Sequence, residues 1–225
     1  MLAIVSHYYS MFLRILAKLY NSVIAAMART SWREAFYRLW EGYRPRWSPE
    51  QAFYGLLVAL AVLVIFLVLN FLRKTRFRQG LSAVILTIYL IFVFGSTVFT
   101  RDPGQFEAPN FNFLWEYRAL LASQDAAYAK DIVLNVLMLL PVGLLLPIIL
   151  QKRTFVWPVL ATFGCSLAIE LMQYFLRCGM FELDDLLNNT LGGWIGYTIY
   201  WLVTLIPYFR KNRTQNNFAA LRKIG

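Results

Sequence analysis

The chain has 225 residues, 59% of them apolar and only 15% charged, with a mean hydropathy of +0.52. A soluble domain carries about 25% charged and 45–50% apolar residues, so this composition excludes an ordinary soluble fold and points to a polytopic membrane protein. The net charge of +10 clusters beside the apolar runs instead of forming one basic face, which reads as topology signal and contact with anionic lipid, with no nucleic-acid partner.

Residues 1–50 form the first segment. Ile4, Tyr8, Phe12, Ile15, Leu16, Leu19, Val23 and Met27 recur at helical spacing, with His7, Arg14, Lys18, Asn21 and Arg29 on the other side. This predicts a basic amphipathic helix lying on the membrane surface. A signal peptide cleaved near Ala26-Met27-Ala28 is rejected, because Arg14 and Lys18 interrupt its apolar region. Trp32, Trp40, Arg44, Arg46 and Trp47 then read as an interfacial anchor.

Five apolar runs follow within residues 51–207, and a basic tail occupies 208–225. The runs at 52–72 and 81–99 carry no charge, as expected of transmembrane helices. The third, 131–150, contains Pro141, Gly143 and Pro147 and is expected to be bent or broken. The fourth, 155–176, holds Glu170. The fifth, 186–206, opens on Asn188 and Asn189 and ends at Pro207. The predicted fold is all-α: a transmembrane helix bundle of about five spans with an N-terminal amphipathic interfacial helix.

Short-loop charges set an orientation. Arg73, Lys74, Arg76 and Arg78 lie in the first connection, Lys152 and Arg153 in the third, and Arg210, Lys211, Arg213, Arg222 and Lys223 in the tail. These segments are therefore assigned to the cytoplasm. That assignment leaves the arginines of residues 29–46 on the opposite side.

Two residue counts exclude chemistry. The single histidine, His7, lies far from the other polar clusters, which rules against a Ser-His-Asp triad, a His-rich metal site and a Cys-His nucleophile. Cys165 and Cys178, if carried on one helix, stand roughly 20 Å apart, beyond the about 7 Å a disulfide spans.

Ionisable residues inside spans cost about 2.5–3.5 kcal/mol at the centre and mark function. Here they are Arg101 at the end of run two, Asp131 and Asn135 at the start of run three, and Glu170 and Gln173 late in run four. Arg177, Glu182, Asp184, Asp185 and Asn188 follow around the fourth connection. Because helices alternate direction, all of these converge on one membrane face. Ser166, Glu170, Gln173 and Arg177 form one helix stripe, and Asp185, Asn188, Asn189, Gly192 and Gly196 another. Gly192 and Gly196 are a small-residue face for close helix packing, expected against run four. Arg177 or Arg101 is expected to pair with Glu170 or Asp185. The cluster reads either as a ligand-facing pocket or as a polar lock between helices. Asp184 and Asp185 suit either a divalent cation with Glu170 and Asn188 or, more simply, a helix N-terminal cap, so no metal and no cofactor is assigned. The aromatics Phe106, Phe111, Phe113, Trp115 and Tyr117 of the second connection read as an interfacial belt or a stacking surface.

The run Asn135-Val-Leu-Met-Leu-Leu-Pro141-Val-Gly143, and SLAIELMQYFLRCGMFELDDLLNNTLGGWIG from Ser166 to Gly196, resemble the VanZ-like family. The shared pattern is an Asn, then Pro-x-Gly, Ser-x-x-Ile-Glu-x-x-Gln, an Asp-Asp-(x)2-Asn element and a glycine-rich helix, over about residues 95–205. The second connection departs from it: Asn112-Phe113-Leu114-Trp115 stands where members carry an Asn-Leu-x-Pro-Phe-like run. The resemblance implies a bacterial cytoplasmic-membrane protein of a family associated with teicoplanin resistance. The expected partners are membrane lipids and a lipid-linked cell-wall precursor or glycopeptide, met by an extracytoplasmic acidic hairpin at 177–185. The alternative is a membrane-embedded enzyme on a lipid-linked substrate, with Glu170 as acid or base and Arg177 or Arg101 on phosphate.

Overall fold

The computed structural model describes residues 2–29, 34, 44–104, 108–123 and 125–221, without the side chains of 2–8, 22–23, 26–29, 126 and 206–221. The predicted anchors Trp32 and Trp40, the aromatic Phe106, and Arg222 and Lys223 of the tail lie outside the described residues. So do the side chains of His7 and of Arg210, Lys211 and Arg213.

Helices make up the architecture, and no strand occurs among the described residues. They are α1 (Leu2–Arg29), α2 (Pro49–Phe71), α3 (Phe77–Phe94) continued by a π-helical turn (Gly95–Phe99), α4 (Trp115–Ala122), α5 (Ala126–Leu150), α6 (Val156–Phe175) and α7 (Leu183–Leu221). Four stretches are long and apolar enough to cross a bilayer: Pro49–Phe71, Phe77–Phe99, Ala127–Leu150 and Val156–Phe175. At 1.5 Å per residue, about 20 residues match the about 30 Å hydrocarbon core. The fifth predicted run lies on α7, where asparagines and glycines dilute the apolar side chains and the packing against α5 is the most extensive in the molecule.

Local chemistry fixes the helix ends. Ser48 caps α2 by accepting the Gln51 N–H at 3.2 Å, and Gln51 Oε1 accepts the Ser48 N–H in return at 2.9 Å. Pro49 supplies the pre-set φ of a first helical residue. Gln51 Nε2 also donates to the Phe99 carbonyl, which ties the start of α2 to the end of the π-helical turn.

The prolines do not break the helices that carry them. Run three is one continuous helix through Pro141 and Pro147, neither broken nor divided. A proline removes a single backbone donor, and neighbouring helices can satisfy the backbone around it. The acceptors so released are the carbonyls of Leu137 and Gly143; elsewhere on the helix Tyr89 Oη donates to the Met138 carbonyl at 2.7 Å and Gln79 Nε2 to the Ile149 carbonyl at 2.8 Å, tying α3 to it. α7 likewise runs through Pro207, where the fifth apolar run ends, on to Leu221.

The apolar core sits where α3, α5 and α6 meet, around Leu86, Val93, Val98, Leu139, Val142 and Ile169. α2 leans on α3 and leaves Leu57, Val58, Val64, Ile65 and Leu67 exposed, as a lipid-facing helix does. α1 rests on α4 and α5 through Ile15 and Leu19. Lys18, expected on its polar side, turns inward instead. Its ammonium donates to the carbonyls of Leu120, Leu121 and Ser123, satisfying the unpaired C-terminal carbonyls of α4.

α7 packs against α6 as expected, with a Cβ at Gly193 standing 2.0 Å from Thr162 Oγ1, but the face of Gly192 and Gly196 is turned to α5. A Cβ at Gly192 would stand 2.0 Å from the Val136 carbonyl oxygen, and one at Gly196 2.1 Å from that of Leu140. α6 meets the adjacent face of α7, where Asn189 Nδ2 donates to Ser166 Oγ at 3.0 Å.

Candidate functional site

A cavity of about 410 Å³ opens at the end of the bundle where α3 and α6 finish and α5 and α7 begin. Its polar lining is Arg101, Glu116, Asp131, Asn135, Glu170, Gln173, Glu182 and Asp185. Its apolar wall includes Tyr89, Phe92, Leu134, Leu137, Met138 and Ile169. The volume falls in the range of small-ligand pockets.

Each polar side chain is held by a neighbouring element. Glu170 on α6, 1% exposed, accepts the backbone N–H of Glu182 at 3.0 Å. Gln173, one helical turn further, donates to the Thr97 carbonyl of the π-helical turn at 3.0 Å. That turn closes i to i+5 bonds, so it frees carbonyls for such side-chain donors. On α5, Asn135 Nδ2 donates to Asp185 Oδ1 at 2.5 Å. Asp131 stands at the rim beside Lys130, 3.8 Å away, both about half exposed.

The connection between α6 and α7 is clipped to the one before α4. The Asn110 N–H donates to the Phe181 carbonyl at 2.8 Å, and the Leu183 N–H to the Asn110 carbonyl at 3.3 Å. This clip brings Glu116 of α4 into the site, 4% exposed.

Four of the residues singled out from the sequence lie elsewhere. Arg177 does not pair with Glu170 or Asp185. It is exposed at the end of α6 in the left-handed region, φ 56°, and offers its carbonyl to the Gly104 N–H. Among the described residues Arg101 has no carboxylate within 4 Å either, though it lines the cavity. Asp184 is fully buried and accepts the N–H groups of Leu114 (2.6 Å) and Glu116 (2.9 Å), so it caps α4 across the fold. Asn188 accepts from Tyr117 Oη and donates to Glu116 Oε2 at 3.2 Å, while Ser166 binds Asn189. Asp184, Asn188 and Ser166 join helices beneath the cavity. Asp184 and Asn188 therefore do not complete a cation site with Asp185. The three carboxylates that do come together are Glu116, Glu182 and Asp185, with ligand oxygens within 4.8 Å of one another.

Glu116 was invisible to pattern reading, because it sits on a short helix inside a polar connection with no apolar period. Tyr117 in the same helix is no lipid belt residue, since its hydroxyl is spent on Asn188. Phe111 and Phe113 remain exposed. Burial, and then the charges of Asp185, Glu182, Asp184 and Asp131, push the Glu116 carboxyl up to about 8. Burial also raises Glu182. Burial first, then Asp184 and Glu116, push Tyr117 up to about 12. Crowded acids in a low dielectric hold protons.

The chain matches VanZ/LLP1 over residues 58–204, a range that contains every cavity-lining residue. It belongs to the VanZ/LLP1 family. The family match begins well before residue 95, where the recognisable motifs start, and takes in most of α2. Protein VanZ of Enterococcus faecium is 29% identical over 73 residues, 32% of this chain and 45% of that protein. The similar stretch thus spans less than half of that relative. No solved structure matches the chain. Family membership and the four apolar spans make this VanZ/LLP1 member a multi-pass membrane protein.

Proposed function

We propose that this VanZ/LLP1 protein is a binding protein of the bacterial cytoplasmic membrane, whose acidic-end cavity opens outside the cell and takes a lipid or lipid-linked cell-wall component. One observation carries the reading. The cavity combines the buried polar groups Glu170 and Gln173, and the exposed Arg101 at its mouth, with an apolar wall at the level of the spans. That combination suits an amphiphile with a polar head and a hydrocarbon tail. Occupation of such a component would change how a glycopeptide reaches the cell wall, in keeping with the resistance associated with the family motifs.

Binding is favoured over catalysis on the cavity's hydroxyl groups. Ser96 and Thr97 both donate to the Val93 carbonyl, at 3.0 and 2.8 Å, and are not engaged by a base. The reading is tested by teicoplanin susceptibility of cells producing the chain. Glu170→Ala, at unchanged protein level, is expected to lower the inhibitory concentration to that of cells lacking the protein. Unchanged resistance in that variant would sink the proposal.

A further inference from the structure

Five carboxyl groups, Glu116, Asp131, Glu170, Glu182 and Asp185, face one cavity against a single guanidinium, Arg101. Glu116 and Glu170 are at least nine-tenths buried. Glu116, Glu170 and Asp185 each give one oxygen to a protein donor: Asn188, the Glu182 N–H and Asn135 respectively. The second oxygen of each has no protein donor among the described residues. An anionic head group alone would find only Arg101 to pair with there, whereas a cation would take the place of the protons that these crowded carboxyls otherwise hold.

Resting on the lipid-binding reading above, we propose that the ligand's head group pairs a primary ammonium with a phosphate. The ammonium is held by Glu116, Glu182 and Asp185, and the phosphate by Arg101. Three carboxylate oxygens within 4.8 Å of one another admit an –NH3+ group. With N···O of about 2.8 Å to each, the oxygens of such a site stand about 4.6 Å apart, one per N–H donor. Arg101 lines the same cavity but lies beyond 4 Å from every carboxylate among the described residues, so a zwitterion can stand between them. Leu134, Leu137 and Met138 continue the wall along α5, where an acyl chain would run.

The test is lipid competition on the full-length chain in detergent, read by native mass spectrometry, with phosphatidylethanolamine, phosphatidylcholine and phosphatidylglycerol at equal concentration. Phosphatidylcholine has the same charges as phosphatidylethanolamine but no N–H donor, and phosphatidylglycerol has no cation. Phosphatidylethanolamine is expected to be enriched about tenfold over both, the factor one charge-assisted hydrogen bond supplies. Asp185→Asn is expected to erase the preference over phosphatidylcholine. Displacement by soluble phosphoethanolamine would identify a free zwitterion as sufficient, and resistance to displacement would require the acyl chains; both support the assigned chemistry. Preference for phosphatidylglycerol that is lost in Arg101→Gln overturns the ammonium assignment while leaving lipid binding intact. The same preference appearing only with Mg²⁺ and vanishing in EDTA overturns it in favour of a bridging cation. Equal and weak retention of all three lipids overturns both this inference and the lipid-binding reading. The comparison among lipids on the unaltered chain needs no variant to fold.

Discussion

Glu116 is faced by carboxylates on every side: Asp184 and Asp185 on α7, Glu182 just before it, and Asp131 on α5. Its carboxyl, ordinarily near 4.5, is raised to about 8. Between those two values the folded protein binds the proton that the unfolded chain has released, so stability falls as pH rises. The contribution is fully present below about pH 4.5 and is gone above about 8. We expect the melting temperature of the detergent-solubilised chain to drop from pH 5 to pH 8, and Glu116→Gln to flatten that slope. A slope unchanged in the variant would mean that Glu116 is ionised throughout. The same crowding explains what single residues hid in the sequence. Asp184 and Asp185 are neighbours of one chemistry, yet a helical step of about 100° sends one to cap α4 and the other to the cavity. Arg177 fitted the stripe of Glu170 and Gln173 by spacing alone, but the chain leaves the helix there with positive φ and carries the guanidinium away.

At the scale of elements, α5 and α7 are the pair on which the cavity rests, since Asn135 and Asp185 face each other only if the two backbones touch. Gly196 has carbonyl oxygen and backbone nitrogen of α5 where a Cβ would go, at 2.1 and 2.9 Å, and backbone cannot step aside. Gly196→Ala is therefore expected to cost about 1–3 kcal/mol. Gly164 on α6 has nothing within 4 Å of its Cβ position, and Gly164→Ala should gain up to about 1 kcal/mol from helix propensity. Thermal unfolding of both variants side by side checks the contrast; equal effects would mean that α7 does not pack this closely. The spans were legible because apolar length is a one-dimensional property, and so was the small-residue face of α7. Its partner was not, because spacing says which residues share a face and not which helix covers it. Pro141 and Pro147 did not break the helix for a related reason: a proline removes one backbone donor, and whether the helix continues past it depends on the packing around it.

Across the whole molecule, charge is sorted to opposite ends. Gln79 bonds the start of α3 to the end of α5, and Tyr197 bonds α7 to the carbonyl of Arg153. The basic first and third connections thus share one end, and the cavity with its carboxylates lies at the other. α1 docks at the cavity end through Lys18, at the opposite end from the basic first and third connections. Convergence of the polar residues was readable from helix alternation. Glu116 and the latch at Asn110 were not, because the second connection has no periodicity to place it.

The most direct test is single-cysteine labelling of intact cells, on a background with Cys165 and Cys178 replaced. Asp102→Cys reports the cavity end and Arg76→Cys the basic end, and both side chains are exposed. An impermeant thiol reagent is expected to label position 102 and to reach position 76 only after the membrane is opened. Labelling of position 76 with protection of position 102 would put the cavity in the cytoplasm and contradict its role toward the outer envelope.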